Sequence, residues 1–279
     1  MTSTGIYQSA KLDVKKAFPF EVGRFLLLPG RKLCGFLIQT REERGSFKRV
    51  LNIAAKYNAI LKIAHFYVAE GTKVIKVFFD LTDCTISPEK LQNEIGNVES
   101  VLAVTKISSK IEGFIADTLS NPLLISGART ILLRTPGYEG LIKRVRERFG
   151  SAADAFLYYQ GIEVGMEYAK NHREIANKLG VTDPQIIFED ISLSMLECMG
   201  MGKTEIVGHK ANPTHIQIRI YNSFECEAAR QAKQPYSQLL RGVIAGMITE
   251  LYKTKVTAKE LKCIAKGDKY CEFEVKQEE

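Results

Sequence analysis

The sequence predicts a soluble α+β protein of two domains, and three observations carry that prediction. A chain of 279 residues, 45% hydrophobic and 25% charged, has globular composition and is long enough for one large or two ordinary domains. Residues 31–110 alternate strand and helix signals in the order βαββαβ, a ferredoxin-like arrangement. Beyond residue 126 the character changes to helices bearing glycines and aromatics, an alternating strand, and a hairpin signal at the carboxyl end.

Each element of the first half has its own signal. Residues 31–40 contain the run Cys-Gly-Phe-Leu-Ile, and Gly45 then opens a helix with Phe47, Val50, Leu51, Ala54 and Ala55 on one face. Residues 59–68 and 72–81 are β-rich runs separated by Glu70-Gly71. Ser87-Pro88-Glu89 starts a second helix, with Ser at the N-cap and Pro at the first helical position, running to about Ile95. Ser100 to Ser108 is the last strand. His65 alternates with Leu61, Ile63 and Tyr67 and reads as structural, as do Cys34 and Cys84, which have no liganding neighbours in sequence. The stretch 110–126, with Asn121-Pro122, reads as the connection, giving domains 1–112 and 113–279.

The carboxyl half begins with Tyr138-Glu139-Gly140 leading into Leu141, Val145 and Phe149 at helical spacing, stopped by Gly150. A second helix carries Phe156, Tyr159, Ile162 and Gly165, flanked by Tyr158 and Met166. Met195, Met199 and Met201 lie beside Gly200 and Gly202, and the strand 214–221 turns Ile216, Ile218 and Ile220 inward. The helix 237–252 aligns Leu240, Val243, Ile244, Met247, Ile248 and Leu251, with Gly242 and Gly246 where another backbone or a ligand could approach closely.

The terminal hairpin, residues 260–275, turns at Lys266-Gly267-Asp268. A three-residue loop would face Ala265 with Lys269 and set Cys263 opposite Cys271, with Cβ atoms roughly 4.5 to 5.5 Å apart. Two small buried hydrophobes, a disulfide, or a zinc site with Glu260 supplying an oxygen all fit that pattern. In an unbroken strand Glu260 would point away from Cys263, so the metal reading requires a bulge or a late strand start near Leu261.

Composition excludes several functions. No run of 18 apolar residues exists, and the amino terminus lacks the basic-then-apolar pattern of a signal peptide, so the expectation is a cytoplasmic protein without membrane association. Six cysteines are too sparse for a disulfide scaffold, and a reducing compartment leaves thiolates free for metal. The net charge of +7 is thinly spread. Its densest patch, Arg41, Arg44, Lys48 and Arg49, is interrupted by Glu42 and Glu43 and reads as a solvated helix face, so no direct nucleic-acid partner is expected. Phosphate-loop, dinucleotide and nucleophile-elbow motifs are absent from the sequence.

Two resemblances add to these readings. The turn Arg44-Gly45-Ser46-Phe47 resembles the glycine turn of ACT regulatory domains, which implies small-molecule sensing or pairing into a homodimer. Glu260-x2-Cys263-x7-Cys271, with Gly-Asp in the loop and Cys-Glu-Phe at its end, resembles the terminal signature of the 4-vinyl reductase domain, and that resemblance runs from Gly127 to the end. This domain also forms the sensory module of phenol-responsive bacterial activators, where the matching Glu and two Cys bind zinc with a third Cys upstream. Ser237 stands at that third position here, so the fourth ligand is open among Cys226, His209, Ser237 and water, with Cys226 favoured because it most nearly reproduces the family's ligands. The resemblance implies a fold related to the TRAPP transport subunits, whose interior holds an acyl chain, and an apolar pocket lined in part by Tyr158, Met195, Met199 and Met247. The expected function is a non-catalytic regulatory protein that binds an apolar or aromatic small molecule, with a downstream regulator as partner. The alternative is an enzyme or accessory protein acting on vinyl-bearing tetrapyrroles, with a bound redox cofactor or partner.

Overall fold

The computed structural model describes residues 19–41, 44–69, 71–211, 214–229, 232 and 234–278. The amino-terminal stretch read for a signal peptide, Glu42 and Glu43 of the basic patch, and Glu70 of the first hairpin lie outside the described residues. The chain is a mixed α/β protein of two compact units, Met1–Ile131 and Leu132–Glu279, taken here one at a time.

In the first unit β1 (Phe25–Leu27) precedes β2 (Leu33–Thr40), α1 (Ser46–Lys56), β3 (Ile60–Ala69), β4 (Thr72–Asp80), α2 (Pro88–Gly96) and β5 (Val101–Ser108). From β2 to β5 this is the expected βαββαβ order, and the strands form one antiparallel sheet in the order β3-β4-β2-β5. β2 and β4 are central and buried on both faces, which explains their nearly continuous apolar runs. Gly45 enters α1 at φ 87°, a left-handed conformation that favours glycine. At the start of α2 the Ser87 hydroxyl accepts a hydrogen bond from the Lys90 N–H at 3.2 Å, as the Ser-Pro signal implied. Phe36, Ile38, Val50, Ala54, Leu91 and Ile95 join in the core between sheet and helices, with Cys34 among them. Burial pushes the Cys34 thiol up to about 11, in keeping with a packing role.

On the other face β6 (Phe114–Ala116) pairs with β1, and Ile115 packs with Leu33, Phe78 and Ile107. Asp117, fully buried, ties this strap down by ion pairs to Arg24 at 2.7 Å and to the buried Lys76 at 3.2 Å. Residues 114–116 thus pack with the first unit, past the division at 112/113 read from the sequence. Two short strands, β7 (Leu124–Ile125) and β8 (Ala128–Arg129), pair with each other.

The second unit opens with α3 (Thr135–Phe149), which ends at Gly150, and continues into the 28-residue α4 (Ser151–Lys178). α5 (Pro184–Ile186) runs through a wide π turn, Ile187–Ser192, into α6 (Leu193–Cys198). After β9 (Lys203–Lys210) and β10 (His215–Tyr221) come the one-turn α7 (Phe224–Glu227) and α8 (Gln238–Tyr252), then the hairpin β11 (Val256–Lys262) and β12 (Cys271–Gln277). The antiparallel sheet has the order β11-β12-β10-β9. Its inner face, Ile216, Ile218, Ile220, Ala258, Phe273 and Val275, packs on the stripe of α8 anticipated from its spacing.

α4 lies against α8 almost backbone to backbone. A Cβ on Gly165 would stand 2.1 Å from the Val243 carbonyl oxygen, and one on Gly246 would stand 2.1 Å from that of Ile162, so both positions require glycine. This close approach corrects the sequence reading of α4. Phe156 and Tyr159 are 60% and 67% exposed, and the buried stripe is instead Ala153, Leu157, Gly161, Gly165, Ala169, His172 and Ala176. Large rings on the contact face would have held the helices apart. Among the described residues no helix is long and apolar enough to cross a membrane.

Candidate metal centre

Four elements of the second unit bring ligand atoms to one buried point. β10 exits through Asn222, at φ 53°, directly into α7, which carries Cys226. Glu260 lies near the end of β11, Cys263 just beyond it, and Cys271 begins β12, paired with Ile220. One ligand atom from each of Cys226, Glu260, Cys263 and Cys271 lies within 4.8 Å of all the others. The three cysteines are fully buried and Glu260 is 7% exposed.

The hairpin achieves this differently from a plain three-residue loop. The ladder pairs Glu260 with Phe273 and then Lys262 with Glu272, so Leu261 falls in a bulge and is left 39% exposed. That irregularity is the device the metal reading required, because it lets Glu260 and Cys263 both turn inward. Ile264–Lys266 then form a 3₁₀ turn, so Cys263 is not laddered opposite Cys271 as the short loop implied. Gly267 at φ 102° and Asp268 close the loop: the Asp268 carboxylate accepts the Cys263 N–H at 2.8 Å.

The donor set suits a cation. Glu260 Oε2 accepts the Ser237 N–H at 3.0 Å, whereas its Oε1 is buried without a hydrogen-bond partner. A buried carboxylate oxygen without a donor is costly unless something positive meets it. Burial, with the nearby Cys263 sulfur adding to it, pushes the Glu260 carboxyl up to about 8. The sulfurs of Cys226 and Cys263 are 3.4 Å apart. Hydrogen bonds from Cys226 and then Cys271 pull the Cys263 thiol down, and the same bonding together with burial pushes the Cys226 thiol up. Backbone N–H groups also face sulfur: Tyr236 donates to Cys263 at 3.4 Å and Ile264 to Cys271 at 3.5 Å, contacts that favour thiolates. A tetrahedral zinc with bonds near 2.3 Å to sulfur sets its donors about 3.7 Å apart, a spacing close to this one.

The remaining residues singled out in the sequence fall elsewhere. Ser237 borders the cluster, its hydroxyl 2.8 Å from the Cys226 sulfur and 3.7 Å from that of Cys271. His209 is excluded as a ligand: Nδ1–H donates to Glu189 at 2.5 Å, and Nε2 accepts from the Tyr252 hydroxyl at 2.6 Å. Of the four pocket residues, Met247 is part of the core, Met195 and Met199 are half-buried, and half-buried Tyr158 has the Arg241 guanidinium 4.0 Å above its ring.

Sequence reasoning missed two residues that touch this site. Glu225, fully buried, accepts the Leu239 N–H at 3.1 Å and the Leu240 N–H at 2.8 Å, capping a helix whose own N-cap Ser237 makes no side-chain cap. Arg146 of α3 donates to Glu225 at 2.9 Å and to the Tyr236 carbonyl at 2.7 Å, and lies 3.7 Å over the Tyr236 ring. Burial pushes the Glu225 carboxyl up, while Arg146 and the two N–H groups pull it the other way. No local sequence signal separates Glu225 from a surface glutamate.

Fold and site together define an α/β domain closed around a buried Cys3Glu donor set. Residues 216–277 match the family model of the 4-vinyl reductase domain. The phenol-responsive sensory domain of the transcription activator PoxR is similar in structure, with a TM-score of 0.50 and 20% identity, covering 55% of this chain and 79% of that one. An uncharacterized protein of Methanocaldococcus jannaschii, MJ1642, is 27% identical over 133 residues, 47% of this chain and 70% of that protein. For the first unit, the ACT domain of the Chlorobium tepidum GTP pyrophosphokinase gives a TM-score of 0.23 at 13% identity, covering 28% of this chain and 99% of that domain, too low to carry an argument.

Proposed function

We propose that this chain is a regulatory small-molecule sensor whose carboxyl-terminal unit holds an apolar ligand and is stapled by zinc at Cys226, Glu260, Cys263 and Cys271. The observation that carries the reading is the buried Cys3Glu set, with its unpartnered Glu260 oxygen, inside a fold similar to a phenol-responsive sensory domain. Three thiolates and a carboxylate are the donor chemistry of zinc, and four protein ligands make the site structural. Zinc there supplies the positive charge that the buried anions need and fastens the hairpin to α7 and to the start of α8.

The ligand is of the phenol, fatty-acid or tetrapyrrole class, with Tyr158, Met195, Met199 and Met247 on its side of the unit. The amino-terminal unit is ACT-like and pairs two copies or reads a second ligand, and a downstream regulator protein receives the signal. Sensing then requires only that the ligand bind one conformation of the carboxyl-terminal unit better than another.

Native mass spectrometry of protein purified without chelator, followed by thermal-shift screening of the three ligand classes, tests the reading. The expected result is a zinc-loaded homodimer whose melting temperature rises with at least one class. A metal-free monomer that answers to none of them would overturn it.

A further inference from the structure

We infer that Glu225 and Arg146, neither of them a metal ligand, are positioning residues that set the affinity of the Cys226–Glu260–Cys263–Cys271 centre. The inference rests on the metal reading above. Its starting point is the weakness of one ligand's support. Cys263 and Cys271 belong to a hairpin held by a ladder, whereas Cys226 sits on a helix of four residues. One helical turn has no stability of its own, so tertiary contacts must hold it.

Those contacts run through the neighbouring residue. The Glu225 carboxylate collects three donors, the N–H groups of Leu239 and Leu240 and the guanidinium of Arg146. This joins α7 to the first turn of α8. Arg146 extends the tie: it also bonds the carbonyl of Tyr236, whose N–H meets the Cys263 sulfur, and next along the chain the Ser237 N–H meets Glu260. Asp154 fixes the far side of the guanidinium at Nε, 2.7 Å away. Arg146 therefore reaches Cys226 through Glu225, Cys263 through Tyr236, and Glu260 through the residue after Tyr236.

Charge makes the same point. A second fully buried carboxylate beside an anionic donor set is unfavourable by itself, and Arg146 is the cation that pairs with it. With Arg146 in place, Glu225 can anchor Cys226 without adding net negative charge to the buried site. Groups that orient metal ligands in this way typically change metal affinity about 10- to 100-fold when removed.

The experiment compares the full chain with Glu225→Gln, Arg146→Gln and Arg146→Lys. Zinc affinity is measured by competition with a chromophoric chelator, thiolate coordination by the charge-transfer absorption of the cobalt-loaded protein, and metal-free stability by urea unfolding. We expect Glu225→Gln and Arg146→Gln to bind zinc about 10- to 100-fold more weakly while the cobalt–thiolate band persists, and Arg146→Lys to fall between them and the parent. Unchanged zinc affinity in all three variants, with only the metal-free stability lowered, would reduce these residues to a structural role and overturn the inference. Should Glu225→Gln not fold, Arg146→Lys, which keeps charge and stem, decides the question by the same readouts. A parent chain that binds neither zinc nor cobalt is a different failure, since it removes the metal reading itself and this inference with it.

Discussion

The two ends of α8 are held by opposite chemistry. At its amino end the Ser237, Leu239 and Leu240 N–H groups meet the carboxylates of Glu260 and Glu225, anions at the positive end of the helix dipole. At its carboxyl end Arg173 donates to the carbonyls of Glu250 and Leu251 at 2.8 and 3.2 Å, a cation at the negative end. Beside Arg173, Tyr252 closes a chain through His209 to Glu189 in which both ring nitrogens are used. The carboxyl end is thus complete as a set of protein hydrogen bonds. The amino end gathers three sulfurs and a carboxylate oxygen without a donor, and a cation completes it. Similar helix-capping demands have been met by protein alone at one end and by a metal site at the other.

The largest expected effect breaks the amino end. Cys263→Ala should lower stability by several kcal/mol through lost metal linkage, and chelator should lower the parent by a similar amount while leaving the variant unmoved, both read from urea melts. Elemental analysis showing less than about one-tenth equivalent of metal, with Cys263→Ala melting like a simple core truncation of about 1 to 3 kcal/mol, would erase the contrast. Next, Gly246→Ala drives a Cβ to 2.1 Å from the Ile162 carbonyl and should cost about 3 kcal/mol, the same with and without chelator, because it separates α8 from α4 rather than loosening either end.

Tyr252→Phe sharpens the comparison from the other side. It leaves the His209 Nε2 without its donor, and a loss of about 1 to 2 kcal/mol in thermal unfolding with unchanged zinc content is expected. A change in metal content would show that the two ends are not independent. The smallest effect near neutral pH comes from His172 on α4, buried against Ser192 at 2.9 Å and pushed by burial from 6.5 down to about 4. Its folded-state value lies below the unfolded one, so the unfolded chain takes up the proton first and stability is lost as pH falls from about 6.5 toward 4. Urea melts across that range should show a shallower slope for His172→Gln than for the parent.

Much of this architecture was legible because it is local. Alternation at 216, 218 and 220, the stripe from Leu240 to Leu251, the Ser-Pro start at 87–88 and the Lys-Gly-Asp turn each express a period or a turn preference within a few residues, and each became the element it implied. The need for an irregularity near Leu261 was also readable, since strand alternation alone put Glu260 on the wrong face. Spacing misled where residue size decided the outcome. On α4 the aromatics mark the exposed side and the glycines and alanines mark the contact, because helices meeting backbone to backbone have no room for rings.

By itself, then, the sequence determined the elements, most of their inward faces and two of the sulfurs, all set by interactions within one turn or one hairpin. Only the tertiary structure decided that Cys226 joins Cys263, 37 positions away, that Ser237 serves as a neighbour with its N–H on Glu260, and that His209 is spent on Glu189 and Tyr252. It alone decided that Glu225 and Arg146, 79 positions apart, are buried together beneath the site. The physical reason is that a side chain's ligands and ion partners depend on which distant backbones the packed core brings alongside it, and no period in the chain encodes that.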